Sequence, residues 1–469
     1  MKKTRIVATI GPASDSVPML QKLIKSGLNV ARMNFSHGDH AEHTQRLENI
    51  REAMKKVGQD IAILQDLGGV KIRIGDFSKG QIMLKKGAKF SITANDCAGD
   101  DNCVSVNYKK LPCEVEVGQP ILIDDGTKKL VVTKTTKSTI ETKVVIGGMI
   151  RSRRGVNVPG ARLSCSALTP KDKKDAIEFG IKNGVDFIAL SFVRSAKDIE
   201  DLKKILKQKK STAKIVAKIE TPEAIENLDE IISVTDAIMV ARGDLAVEMP
   251  AEDVPHLQKM MIRKCNIVGK PVIVATQMLE SMITVPTPTR AEVTDVTNAI
   301  LDGADAVMLS AETAVGDFQV EVIETMASIA RRTEQDMHGR EIIDNEEYTS
   351  RTANAISHSA VQIAREIDAV AIVTLTESGF SARKISRYQP IQPIIALTPH
   401  KQTHLQLQLS FGCRSYIFKG FDSVQKTILK TKEFIKKEGI AKKGDRIVIV
   451  AGVPFGKSGS TNMVIVEKI

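Results

Sequence analysis

Ile215-Val216-Ala217-Lys218-Ile219-Glu220 begins as an apolar run and ends on two opposite charges. In an extended strand, residues i and i+2 project from the same face. Lys218 and Glu220 are therefore expected side by side at the end of a strand. An ammonium and a carboxylate held together there suit a site for an anion and a divalent cation. A lone Lys-x-Glu is more often a solvated ion pair, but here the design repeats. Mainly apolar runs followed by polar residues occur at Ile6–Ala8 before Thr9, Asn29–Ala31 before Arg32, Ile61–Leu64 before Asp66 and Phe187–Leu190 before Ser191. They continue with Ile215–Ala217 before Lys218, Ala237–Ala241 before Arg242, Val272–Ala275 before Thr276 and Ala306–Leu309 before Ser310. Helical patterns such as Val17–Ser26, His43–Lys56 and Asp198–Lys207 lie between most of them. Strands that alternate with helices pair in parallel, and parallel strands buried on both faces read as continuous apolar runs. Eight such units predict an α/β fold, a (β/α)8 barrel with its chemistry at the C-terminal strand ends.

The third and fourth runs are not adjacent. Roughly residues 71–157 intervene, rich in β-branched and turn residues such as Phe90-Ser91-Ile92-Thr93 and Leu130-Val131-Val132-Thr133, and they predict an inserted all-β, barrel-like domain. The expected division is 1–70 with 158–340 for the barrel, 71–157 for the insertion and 350–469 for a C-terminal α/β domain. Strands of that last domain are expected near Ala369–Leu375, Ile394–Leu397 and Arg446–Ala451, after a charged linker at Arg340–Glu347.

Bulk composition narrows the function classes. The 469 residues are 42% hydrophobic and 26% charged, as in a globular protein with sizeable cores. A net charge of +11 suits anionic ligands or nucleic acid, but 4% aromatic content without Trp leaves few base-stacking platforms. Small anionic substrates are the favoured reading, with no nucleic acid as partner. The six cysteines form no C-x-x-C pair, and no apolar run approaches the ~20 residues that cross a bilayer, so a reduced, cytoplasmic setting without a membrane partner is expected.

Motifs in order along the chain resemble the pyruvate kinase family over essentially the whole length. They are Thr9-Ile10-Gly11-Pro12, Ala31-Arg32-Met33-Asn34-Phe35-Ser36-His37-Gly38, Gly155-Val156-Asn157-Val158-Pro159-Gly160, Ala217-Lys218-Ile219-Glu220, Met239-Val240-Ala241-Arg242-Gly243-Asp244-Leu245 and Ala275-Thr276-Gln277-Met278-Leu279-Glu280-Ser281-Met282. The resemblance implies a glycolytic phosphotransferase that moves phosphoryl from phosphoenolpyruvate to ADP, giving pyruvate and ATP. It also implies a lid-like inserted domain, a regulatory C-terminal domain and a homotetramer. Glu220 and Asp244 would bind Mg2+ or Mn2+, a hard cation suited to carboxylates. Arg32, Lys218 and Thr276 would be catalytic, with Gly243 and Asp244 joining them in binding substrate. Thr276 is a proton-relay candidate acting with water or a Ser310/Glu312 network. Pro12, Arg32, Asn34, His37, Arg73, Arg154 and Asn157 match nucleotide-side positions, and Asp125 would close over the site. Thr376, Ser378, Gly379 and Ser381 resemble an effector phosphate loop, which implies a phosphorylated allosteric activator; an ordinary turn is the plainer reading.

The chain also departs from the family pattern. Potassium-activated members read Asp-Thr-Lys-Gly-Pro-Glu-Ile-Arg where this one has Asp66-Leu67-Gly68-Gly69-Val70-Lys71-Ile72-Arg73, and Ile74 stands where threonine is common. Asn34, Ser36 and Asp66 of the monovalent-cation site are kept, while Leu67 and Lys71 are changed. This resembles the family's potassium-independent branch, so activity is expected not to require K+. Ala246 and Ala311 replace usual glycines and would be strained at positive φ. The series His37, His40 and His43, and the pair His400 and His404, read as surface histidines. No Walker loop is present. The competing functional readings are another phosphoenolpyruvate-using barrel phosphotransferase, such as a dikinase, and a basic nucleic-acid-binding pseudoenzyme.

Overall fold

A computed structural model describes residues 2–340, 351–456 and 459–469. Of the linker expected at Arg340–Glu347, all but Arg340 lies outside the described residues. Eight parallel strands close into a barrel: Arg5–Thr9, Val30–Asn34, Ala62–Asp66, Phe187–Leu190, Lys214–Ile219, Ala237–Ala241, Val272–Ala275 and Ala306–Leu309. Each coincides with one of the apolar runs. The third pairs directly with the fourth, Phe187 opposite Leu64, so the inserted domain carried between them leaves the ring of strands unbroken. Alternation sorts the side chains. Val7, Leu64, Val216 and Met239 fill one buried layer, while Ile6, Ile63, Ile215 and Ile238 belong to a second that includes the surrounding helices.

The barrel floor carries a fourfold device. Asn29, Asp186, Asp236 and Asp305 stand immediately before the second, fourth, sixth and eighth strands. Their side-chain oxygens accept the N–H of Ile6, Ile63, Ile215 and Val272 on the preceding strands, at 3.0, 2.7, 3.0 and 3.1 Å. Each bond closes a floor-end donor that the ladder leaves unpaired.

The insertion forms a six-stranded sheet running from Val156–Asn157 at one edge to Cys103–Ser105 at the other, with a two-stranded ribbon of Gln81–Leu84 and Gly148–Arg151. It is a sheet domain as expected, with one helical turn at Leu111–Glu114 and Pro112 near its start. Its ladder does not close on its own. Single bridges from Arg73 to Gly155 and from Ile74 to Val106 span the two edges instead. Phe90, Ile92, Ile121 and Leu130 form its separate core.

The C-terminal sheet has the order Cys413–Ile417, Ile394–Thr398, Ala371–Leu375, Arg446–Gly452 and Thr461–Lys468. Its final pair is antiparallel. Two of these strands escaped the sequence reading: Cys413-Arg414-Ser415-Tyr416-Ile417 is interrupted by the polar pair Arg414-Ser415, and Thr461–Lys468 is an edge strand with exposed positions. This domain docks under the barrel floor. Leu409 joins the barrel's interior layer. Asp186 and Asp305 turn their other oxygens to Gln402 Nε2 and Phe411 N, each at 3.0 Å. His404 is buried there and bonds Asp60 at 3.0 Å, which corrects the expectation of a surface histidine; His400, with Glu377, is the exposed one of that pair.

Candidate active site

Lys218 and Glu220 end the fifth strand and share its face, as the i, i+2 spacing requires. The Lys218 Nζ lies 2.9 Å from Glu220 Oε1, 3.4 Å from Asp66 Oδ1 and 2.7 Å from Ser191 Oγ. Arg32, at the second strand, donates from Nε to Asp66 Oδ2 at 2.7 Å and from Nη1 to Thr9 Oγ1 at 2.7 Å. Five neighbouring strand ends thus meet in one buried network: Thr9, Arg32, Asp66, Ser191 and Lys218. Ser191 and Thr9 were seen in sequence only as polar strand ends. The closed strand order is what converts them into partners of Lys218 and Arg32.

Electrostatics in this network are dominated by burial. Desolvation opposes the Lys218 charge, yet Asp66 and Glu220 overcome it and hold its pKa above the ordinary lysine value. Burial pushes Glu220 up to about 7 against the attraction of Lys218, and the nearby Asp244 adds to the rise. Asp66 stays below its usual range although burial works the other way, because Lys218 and Arg32 flank it. The Glu220 Oε2 is fixed by the N–H of Phe192 at 2.7 Å, and Phe192 adopts φ 52° to make that approach.

Asp244 lies in the first turn of the helix Arg242–Glu248. The Gly243 N–H donates to Thr276 Oγ1 at 2.8 Å, and that hydroxyl donates to Ala275 O at 2.5 Å. Thr276 and Gln277 have φ of 72° and 53°, a region that L-residues occupy at a cost. Arg242 holds the turn in place: its Nη2 donates to Thr276 O at 2.6 Å, and its Nη1 pairs with Asp295 at 2.7 Å. The sequence reading missed Arg242 as a positioning residue, although it was visible as the residue that ends the sixth strand. Ser310 N donates to Glu312 Oε2 at 2.6 Å, and Leu279 N to Glu312 Oε1 at 3.3 Å. The Glu312 carboxylate therefore braces the loop that follows Thr276. Ala246 and Ala311 sit in helices, and neither has positive φ, so neither methyl is strained.

Between the inserted domain and the barrel lies a cavity of about 300 Å³. Lys71, Arg73, Asp125 and Asn157 face it from the insertion and Asp244 and Glu248 from the barrel. Asn157 Nδ2 donates to Glu248 Oε1 at 2.7 Å across it. Glu248 had no sequence signal; only the approach of the two domains reveals it. Burial lowers the Lys71 pKa, with Arg73 and Lys218 adding to the effect and Asp244 and Asp66 opposing it. His37 is lowered by burial first and then by Lys71, Arg73 and Arg32, so it stands among these cations. Pro12 is exposed in the loop after the first strand. Arg154 pairs with Asp124 at 3.4 Å on the inserted domain.

Asn34 Oδ1 accepts the N–H of Ser36 at 3.1 Å. The Leu67 side chain belongs to the barrel core and Ile74 to the core of the insertion. These two departures do not pack with Lys71 as one unit. Of the histidine series, His37 is exposed and His40 partly so, as expected, but His43 is not a surface residue. His43 is 1% exposed and stacks on Phe35 at 3.9 Å, and His40 pairs with Asp175 at 2.7 Å. Far from the barrel mouth, Thr376, Ser378 and Ser381 line a small cavity of about 20 Å³, and Ser381 Oγ bonds Thr461 Oγ1 at 2.5 Å.

The family model for the pyruvate kinase barrel domain matches residues 1–323, and that for the pyruvate kinase alpha/beta domain matches 354–467. The chain belongs to the pyruvate kinase family. It is 46% identical to a pyruvate kinase of Geobacillus stearothermophilus, over 100% of this chain and 80% of that protein. It is 44% identical to one of Agrobacterium vitis, over 98% of this chain and 97% of the other. A solved pyruvate kinase from Cryptosporidium parvum superposes with a TM-score of 0.93 at 37% identity, covering 100% of this chain and 96% of that one. The chain is therefore a phosphotransferase enzyme of this family. Among the described residues, no helix is long and apolar enough to cross a membrane.

Proposed function

We propose that this protein transfers the phosphoryl group of phosphoenolpyruvate to ADP in glycolysis, forming pyruvate and ATP in the cytoplasm. The observation that carries the reading is the convergence of Lys218, Glu220, Asp66 and Arg32 at the barrel mouth, within 3.4 Å along each link. Phosphoryl transfer needs fixed charge around the moving group more than covalent help. An oxygen of the ADP β-phosphate attacks phosphorus, the bond to the enol oxygen breaks, and the enolate left behind takes a proton at carbon to become pyruvate.

Glu220 and Asp244 fit Mg2+ or Mn2+. They are oxygen donors close enough for Asp244 to raise Glu220. No cluster of three or more ligating side chains exists among the described residues, so the remaining positions fall to substrate and water oxygens. When bound, the metal supplies charge to the phosphoryl and enolate oxygens. Lys218 stays protonated between Asp66 and Glu220 and places its ammonium where the phosphoryl moves. Arg32, oriented by Asp66 and Thr9, offers its fork to phosphate oxygens. The Gly243 N–H is taken by Thr276 Oγ1, so the substrate carboxylate gains it by exchanging that bond, which frees the Thr276 hydroxyl to relay a proton. Pro12, Asn34, His37, Arg73, Arg154 and Asn157 belong to the nucleotide side, with Asp125 closing from above. Lys218→Met tests the assignment. A coupled pyruvate assay should show kcat down by about 10³-fold; unchanged ATP formation would refute it.

We further propose that activity does not need K+. Lys71 is half-buried, and its charge interacts with Asp66 and Asp244, which supports an ammonium in place of the ion. The hydroxyls of Thr376, Ser378 and Ser381, with Gly379 at φ 78°, support a phosphorylated activator. The small volume there requires the loop to open for it. A homotetramer is the expected assembly.

A further inference from the structure

We propose that a cavity between the barrel floor and the helix Phe380–Ser386 binds one phosphate group, free or as the end of a small monoester. The cavity has a volume of about 110 Å³. That is the space of about three to four waters, enough for a phosphate and few further atoms. Lys214 and Lys270 face it from the barrel, Arg383 and Lys384 from the C-terminal domain, Lys384 donating to Val268 O at 3.1 Å, and Phe187, Pro271 and Phe380 supply apolar wall.

The charge balance is what asks for an anion. Asp236 is the one acid among the described residues of the wall, and both its oxygens are engaged. Its Oδ1 pairs with Lys214 at 3.0 Å, and its Oδ2 accepts the N–H of Ile215 at 3.0 Å. Lys270 donates to the carbonyls of Ile232 and Ser233, the latter at 2.9 Å. Arg383 donates from Nη1 to Ser378 O at 3.1 Å. Neither cation has a carboxylate partner within salt-bridge distance among the described residues. Both are held below their ordinary pKa by burial, Lys270 at about 8. Two partly buried cations on opposite domains, one of them a guanidinium fork, facing a void of phosphate size, match the donor set that phosphate takes.

The position adds a consequence. Phe380 is the residue shared by this cavity and the small one beside Thr376 and Ser381. A phosphate here would tie the barrel floor to the helix that follows Thr376–Gly379, and Arg383 already touches that loop through Ser378 O.

Arsenate, a phosphate analogue with an anomalous signal, locates the site in crystals of the full chain. Calorimetric titration with inorganic phosphate and with glycerol phosphate, at constant ionic strength, counts sites in solution. The expected result is an arsenate peak between Lys270 and Arg383, and one fewer phosphate site per chain in K270Q/R383Q than in wild type. Retention of that site with affinity weakened by less than tenfold is expected for R383K. Binding of inorganic phosphate alone identifies the free ion as ligand, and binding of glycerol phosphate as well identifies a monoester. An empty cavity, an arsenate peak without a lost site in solution, or wild-type stoichiometry in the double variant overturns the proposal. Should the double variant fold poorly, K270Q alone serves, with circular dichroism as the check on folding.

Discussion

At the residue scale, the working parts are charges that the protein has removed from water and then paired. Lys218 sits between two carboxylates and a serine hydroxyl, an arrangement that fixes both its charge and its direction. Ser191→Ala removes the hydroxyl without touching the ion pairs. It should lower kcat by about 10–100-fold, the worth of one hydrogen bond to a charged group, while leaving thermal stability within a degree or two. Lys71 is the residue on which the potassium question turns. K71E should lose activity by about 100–1,000-fold in K+-free tetramethylammonium buffer, comparable to loss of one electrostatic donor, and regain part of it when K+ is added. Full activity of K71E without K+ would rule out the ammonium as the ion's replacement. For the wild-type enzyme, collapse of activity in tetramethylammonium would do the same. Leu67 and Ile74, which depart from the family pattern along with Lys71, pack into two separate cores and offer no packing support for that reading.

At the element scale, the barrel strands are tied together twice, by their ladders and by the floor residues that precede every second strand. Asp186 and Asp305 carry the greatest electrostatic cost, since burial raises them to about 7 and about 6. An unfolded Asp titrates near ~3.9, so between that pH and 7 the folded state holds the extra proton on Asp186. The contribution of this group to stability is therefore fully present below about pH 4 and declines as pH rises through 7. D186N keeps an acceptor for Ile63 N and does not titrate. Its thermal midpoint minus that of wild type should increase from pH 5 to pH 8, by the equivalent of roughly 2–4 kcal/mol. A difference that stays constant with pH would show that the carboxyl is not the titrating group. The turn at Thr276 shows the same economy in another form: two residues at positive φ are held by a single arginine, Arg242.

At the scale of the whole molecule, three cores meet along two seams. The upper seam holds the large cavity and is bridged by Asn157 and Glu248 at 2.7 Å. N157A leaves the half-buried Glu248 without that donor and loosens the inserted domain against the barrel. The KM for ADP should rise by about 3–10-fold, with a smaller change in the KM for phosphoenolpyruvate, measured in the coupled assay. Equal effects on both substrates would place the bond outside nucleotide capture. The lower seam joins barrel and C-terminal domain through Asp186, Asp305, Leu409 and the cation-rich cavity.

The sequence by itself determined the barrel and its mouth. Strands buried on both faces must be apolar throughout, and a strand's period of two places Lys218 beside Glu220, so both leave a local signature. One helix had legible limits because its caps are local: Val17–Ser26 is bounded by the Ser16 cap and by Gly27, whereas the helices expected at His43–Lys56 and Asp198–Lys207 extend over His40–Val57 and Ala196–Gln208. Residues whose partners lie far along the chain were decided only in three dimensions. Asp66 meets Lys218, Asn157 meets Glu248, and Asp186 meets Gln402 across 152, 91 and 216 positions of sequence. The burial of His43 and His404 followed the same course. Each is a polar residue whose environment is set by which element closes over it, a property of packing that composition and spacing do not record.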